Sequence, residues 1–291
     1  MQQEKRIKSG KLLEVDFYPV WNDGRSIPTR APKTKPSTAE QEKYNHQQAI
    51  KKFIRKINAN FDTGDVWLHP TYESHKAPQT EKEARRDISN YIRRIKTKRK
   101  AELKRVLRLL ERSPTDDRLI AQCRKLQQPL KYAGVIHQQI YKSGPNKGRC
   151  NWHFHIFMTG GIDRDILEDM WGMRINVDRF QPERFGPEAA AKYMTKSPKG
   201  MRKFFCSKNL KNPKIYKPKN SKITKKGVER LATQRIDDKA YWEKRYKGYR
   251  FMRGYARYNN YNGHWYVSVI MYKANNDVEL PKWGFDEWLL E

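Results

Sequence analysis

Asn151-Trp152-His153-Phe154-His155-Ile156-Phe157-Met158 is the stretch on which the reading of this chain turns. β-Branched and aromatic residues dominate it and Gly160-Gly161 closes it, the composition of a buried strand. Side chains alternate faces along a strand, so His153 and His155 point one way while Trp152, Phe154 and Ile156 point the other. Two imidazoles so placed are a ready pair of metal ligands; the plainer reading makes one a packed residue and the other a surface one. Just upstream, residues 132–141 form a second β-prone run that carries His137. The intervening loop, residues 142–149, turns the chain back, and an antiparallel hairpin of this kind brings His137 near His153 or His155.

Working outward, Ser37 opens a helix over residues 37–60 with an apolar stripe of Tyr44, Ala49, Ile50, Phe53, Ile54 and Ile57. Residues 64–72 suggest a strand that is bulged or ends near Pro70, which has no N–H for a ladder. Thr80 and Glu83 have the form of a capping box. The helix after them carries Ile88, Ile92, Ile95, Leu103, Val106 and Leu110 on one face. Arg85, Arg86, Arg93, Arg94, Lys98, Arg99 and Lys100 lie elsewhere on it, a face that is either solvated or laid along phosphates. Pro114 ends that helix, and residues 115–128 read as a further short helix or an insertion. Asp163 caps a short helix ending near Trp171-Gly172, and residues 174–177 return as a strand. Pro187-Glu188 opens another helix, which runs through Lys196 and stops before Ser197-Pro198. Near the end, the turn signal Asn262-Gly263 precedes a strand over residues 265–272. Residues 1–36, basic and bearing Pro28, Pro32 and Pro36, read as a poorly ordered arm, although Leu12, Leu13, Val15, Phe17 and Tyr18 could dock on the body.

Composition narrows the function classes. The chain has 62 Lys and Arg against 32 Asp and Glu, a net charge of +30, which opposes compaction unless a polyanion neutralises it. Nucleic acid or an anionic surface is the expected partner, and 37% hydrophobic residues with eight Trp argue against a wholly disordered tail. Cys123, Cys150 and Cys206 form neither a disulfide framework nor a zinc ribbon. No apolar run approaches a membrane span, so a soluble protein of a reducing compartment is expected. Between Glu188 and Glu229 stand thirteen Lys or Arg and no acid, a segment that repels itself unless it lies along phosphates. Lys192, Lys199, Arg202, Lys203 and Lys208 are its candidate DNA-binding residues. Phe204, Phe205 and Tyr216 within it could stack on bases or pack onto the body.

Tyr193 and Lys196, three apart on the helix after Pro187, share a face. A tyrosine hydroxyl is a poor nucleophile at neutral pH because its pKa is about 10; a neighbouring ammonium and a nearby divalent cation both favour the phenolate. Taken together, His153-Phe154-His155 and Tyr193-Met194-Thr195-Lys196 resemble the two signature motifs of the HUH endonucleases in their single-tyrosine form. More narrowly, residues 37–275 resemble the rolling-circle replication initiators of bacterial phages and plasmids. That resemblance also takes in residues 61–68, the helix end at Trp171-Gly172, residues 207–213 and the closing Asn262-Gly263-His264.

The resemblance implies an α+β fold of HUH endonuclease type: a ferredoxin- or RRM-like antiparallel sheet with helices packed on it and the histidine pair on a central strand. It divides the chain into the N-terminal arm (1–36), an endonuclease domain (37–275) and a tail (276–291). It implies that Tyr193 attacks a scissile phosphate of single-stranded or hairpin origin DNA, keeps the 5′-phosphate and frees a 3′-OH for a host polymerase. Lys196 would orient or charge-stabilise the phosphate or the tyrosine, and His153 and His155 would hold Mg²⁺ or Mn²⁺. Two departures stand out. Where relatives often carry an acidic third ligand this chain has His137, or Gln138 or Gln139 in its place, and an imidazole there suits manganese or a softer metal better than magnesium. The Thr-rich run usual after the first strand reads His69-Pro70-Thr71, which makes His69 a further ligand candidate. No phosphate-binding loop of the Gly-x-x-x-x-Gly-Lys-Ser/Thr form is present, so a host helicase is the expected unwinding partner and the bacterial cytoplasm the expected location. A transposase or relaxase of the same chemistry, and a basic nucleic-acid binder without catalysis, are the rival readings.

Overall fold

Gln2–Ser9 (β1) and Leu12–Pro19 (β2) pair antiparallel across the two-residue turn Gly10-Lys11. Gly10 takes φ +59°, as such a turn requires, and a Cβ there would fall 2.0 Å from the Asn58 carbonyl oxygen. In this computed structural model, which describes residues 1–21, 38–143, 147–181, 204–218 and 223–273, the hairpin belongs to the first of two compact units. That unit comprises Met1–Ala59 and Lys211–Glu291, the second Asn60–Leu210. The chain is α+β. Its described residues form two five-stranded antiparallel sheets and six helices.

In the first unit, β1 also pairs with Lys214–Tyr216 (β8), and β2 with His264–Tyr272 (β10). Across the Asn262-Gly263 turn, β10 pairs with Arg250–Asn259 (β9), giving the order β8-β1-β2-β10-β9. Alternation aims Leu13, Val15 and Phe17 of β2 and Val267, Val269 and Met271 of β10 at one face. There they meet Val228 and Leu231 of a helix at Lys225–Gln234 (α5) and Trp242 of a helix at Lys239–Arg245 (α6). On β2's other face, Glu14 accepts a fork from Arg55 of Ala39–Asn60 (α1), at 2.6 and 2.9 Å. Residues 1–19 are therefore not the disordered arm that their charge suggested. Leu12, Leu13, Val15 and Phe17 do more than dock: their strand is the centre of a sheet.

The second unit holds Val66–Pro70 (β3), Glu81–Arg112 (α2), Asp117–Gln127 (α3), Tyr132–Ile140 (β4), Cys150–Met158 (β5), Arg164–Trp171 (α4), Ile175–Arg179 (β6) and Phe205–Cys206 (β7). Its strands run β6-β3-β5-β4-β7, so the histidine strand β5 is central. Leu68, Ile136, Trp152, Phe154, Ile156 and Met158 face a core shared with Ile88, Tyr91, Ile92 and Ile95 of α2. Trp171 closes one side of it, edge-on to Tyr72, Tyr91 and Phe154, and donates from Nε1 to the Thr71 carbonyl at 3.1 Å. The Thr80–Glu83 capping box is formed in full. β3 ends at Pro70, which meets Ile175 of β6.

The basic residues of α2 divide by role. Arg85 pairs with Glu81, and Arg94 reaches the Met170 carbonyl at 2.9 Å. Arg99, read from the sequence as part of a solvated or phosphate-facing stripe, is instead buried. Its guanidinium donates to the carbonyls of Thr159, Gly160, Lys125, Leu126 and Gln128. Among the described residues no helix is long and apolar enough to cross a membrane.

Candidate functional site

On the sheet face opposite that core, β3, β5 and β4 together present four imidazoles. With Leu68, Phe154, Ile156 and Ile136 turned to the helices, strand alternation turns His69, His153, His155 and His137 the other way. His137 stands directly opposite His153 in the β4–β5 register, their ring centroids 6.0 Å apart. On the other side of β5, Leu68 is the partner of Ile156, so His69 comes beside His155. Their Nδ1 atoms lie 3.0 Å apart and their rings meet at 87°. Thr71 bridges to His153 and brings its hydroxyl 3.1 Å from His153 Nδ1.

Neighbours fix how these rings present themselves. Asp178 of β6 places Oδ2 3.4 Å from His69 Nε2 and accepts a hydrogen bond from Asn176 at 2.9 Å. His69 Nε2 is buried and makes no hydrogen bond among the described residues, so Asp178 acts on the ring through its charge. Trp67 covers the pair, its ring 4.5 Å from His69 and 6.4 Å from His155 by centroids. Burial holds the His69 pKa below the ordinary imidazole value, with Asp178 opposing it in part. His153 is lowered too, by burial first and then by the nearby Arg174. Both rings therefore stay neutral at neutral pH, the form that offers a lone pair to a metal or a proton.

An open groove of about 570 Å³ runs along His137, His153 and His155, with Gln139 and the exposed Lys142 at its rim. Gln138 also lines the groove, with its side-chain amide turned to Cys150, Nε2 lying 3.1 Å from Sγ. At 3.0 Å the two Nδ1 atoms are at hydrogen-bond distance, so the His69 and His155 rings are linked directly to one another. Among the described residues no three His, Cys, Asp or Glu side chains are grouped to hold a metal. Sequence reading flagged His69 without a partner for it and missed Asp178. Both acquire their places from the pairing of β3 with β5 and β6, which no local pattern encodes. Lys208 lies exposed just after β7, whereas Tyr193, Lys196, Lys192, Lys199, Arg202 and Lys203 fall outside the described residues. Compared with known proteins, the chain matches no family model, no curated protein and no solved structure.

Because the two lowered imidazoles take up protons later in the folded state than in the unfolded one, acid works against folding. Above about pH 6.5 neither state is protonated at these rings and they cost nothing. As the pH falls from there towards the lowered folded values, each is expected to remove up to about 1.4 kcal/mol of stability per pH unit. Urea midpoints measured in EDTA between about pH 7.5 and about pH 5.5 should show this slope, and the double variant His69→Gln, His153→Gln should flatten it. An unchanged slope in the double variant would place the acid sensitivity elsewhere.

Proposed function

We propose that the chain is a metal-dependent endonuclease and strand transferase of HUH type, which nicks and rejoins single-stranded origin DNA to initiate rolling-circle replication. The observation that carries this reading is the imidazole face: His153 and His155 on a central antiparallel strand, His137 opposite one of them and His69 against the other. A bound divalent cation, Mn²⁺ or Mg²⁺, polarises a phosphate oxygen and steadies the charge that grows as an oxygen attacks phosphorus. His69, whose imidazole burial keeps neutral, offers a nitrogen for it beside His155, with His153 and His137 on the same face.

The nucleophile of this reading is Tyr193. Its phenol oxygen forms a bond to phosphorus, the P–O3′ bond breaks, and the chain retains the 5′-phosphate as a phosphotyrosine. One proton leaves the phenol and one is taken up by the departing 3′-oxygen, so the exchange is reversible and needs no external energy source. Lys196 stabilises the phenolate or the phosphate by charge. Exposed Lys142 beside the imidazoles, and the net charge of +30, favour a DNA backbone at this groove.

The test is covalent capture. A randomised single-stranded DNA library incubated with the full chain and Mn²⁺ should yield an adduct that survives denaturation and is suppressed by EDTA. Peptide mapping should locate the phosphate on Tyr193. An adduct on another residue, or none with Mn²⁺ or Mg²⁺ across the library, removes the proposal and favours a non-catalytic nucleic-acid binder.

A further inference from the structure

At the β8–β1 edge of the first unit, a cleft of about 430 Å³ has an aromatic floor and a cationic rim. In the strand register Arg6 stands opposite Tyr216 and Lys8 opposite Lys214, so all four project from one face. Like charges directly across a strand pair destabilise it, and among the described residues no carboxylate pairs with either lysine. Lys247 adds a third ammonium to the rim. An anion bridging these groups would turn that repulsion into attraction.

The floor is held in place from below. Glu4, only 4% exposed, receives Arg6 at 2.5 Å, Arg245 at 3.0 Å and the Tyr246 hydroxyl at 3.0 Å. Arg6 in turn lies over two rings, 5.2 Å from the centre of Tyr246 and 5.7 Å from that of Tyr216. Tyr216 is thus braced on one side by a fixed guanidinium while 59% of its surface stays exposed. A solvent-facing ring with lysines around it is the arrangement that holds an unstacked base between phosphates. A duplex keeps its base faces hidden and could use the lysines alone.

We propose that this cleft binds single-stranded nucleic acid, a base stacking on Tyr216 while the adjoining phosphates lie on Lys8, Lys214 and Lys247. The cleft belongs to the first unit, and binding there does not rest on the chemistry assigned to the histidine face of the second. The pocket is of a size for one nucleotide with part of its neighbour, and specificity among bases is not built into it, since every base has a π-face.

The probe is oligothymidylate carrying 5-iodouracil, mixed with the full chain in EDTA so that no metal-dependent step contributes. Photo-crosslinks should map to Tyr216. Tyr216→Ala should weaken binding of unmodified oligothymidylate about ten-fold, while Tyr216→Trp retains it and duplex of equal length is unaffected. Lys8→Gln with Lys214→Gln should lower the slope of log affinity against log salt by about 0.7 for each phosphate that is no longer neutralised. The proposal is overturned if crosslinks map only to other residues, or if Tyr216→Ala weakens single strand and duplex alike. Displacement of the oligonucleotide from Tyr216 by a phosphopeptide at equal concentration would likewise reassign the cleft. No cleavage enters any of these readouts, so a failure here and a failure of the nicking reaction are separate results.

Discussion

Arg99→Met is expected to lower the stability of the second unit by about 3–5 kcal/mol, because buried carbonyl oxygens that lose their donor cost about 1–3 kcal/mol each where water does not replace it. Five carbonyl oxygens face that guanidinium, and methionine fills its volume but donates to none of them. Three belong to the C-terminal end of α3, where a cation is favoured. The other two, Thr159 and Gly160, close the histidine strand, so the same side chain anchors β5. Asp65 completes the arrangement: it accepts Gly160 N at 3.1 Å and Lys125 Nζ at 2.9 Å, and its charge opposes the effect of burial on Arg99. Urea unfolding followed by circular dichroism gives the magnitude, and hydrogen exchange of the β5 amides shows whether the loss is centred there. Arg99→Lys keeps the charge without the planar fork and should recover less than half of the difference. A methionine variant within about 1 kcal/mol of the parent would mean that water replaces the guanidinium at these carbonyls.

What is legible without coordinates follows the range of the interaction that encodes it. His153 and His155 share a face because strand alternation is local, and His137 joins them because the neighbouring strand in sequence returns antiparallel beside theirs. The capping box of α2 and the Gly172 end of α4, at φ +70°, are local chemistry too and stand where the residues put them. The strand β2 is different: its partner β10 lies about 250 residues away, and without that partner a short basic hairpin beside a Pro-rich stretch reads as an arm. His69 meets His155, 86 residues on, only once β3 is known to lie next to β5. Arg99 is misleading in the sequence because the apolar stripe of a helix marks its buried face without saying which basic side chain at the rim has carbonyls to serve. The pair α5 and α6 is illegible because their apolar residues are too few for a helical period to stand out. Tyr193 and Lys196 rest on the resemblance alone, outside the described residues.

The second large effect concerns which imidazoles matter to the proposed metal. His155→Ala is expected to weaken Mn²⁺ binding, read by the electron paramagnetic resonance of free Mn²⁺, by more than about 100-fold, since losing a donor outweighs losing the group that orients it. DNA–protein adduct formation should fall with it, while salt-sensitive binding of DNA persists because the lysines are untouched. The proposed metal has two candidate ligand sets, and His155 belongs to both: with His153 and His137, or with His69. His69→Ala and His137→Ala tell the two apart. With Nδ1 of His69 at 3.0 Å from that of His155 and Asp178 behind its other nitrogen, the geometry favours a large loss in His69→Ala and a smaller one in His137→Ala. Asp178→Asn keeps the shape and removes the charge beside His69 Nε2, and should cost about 10–100-fold in Mn²⁺ affinity. If His69→Ala and Asp178→Asn bind Mn²⁺ as the parent does while His137→Ala does not, the 3.0 Å contact does no more than link neighbouring rings, and the cation belongs on the β4 side of the strand.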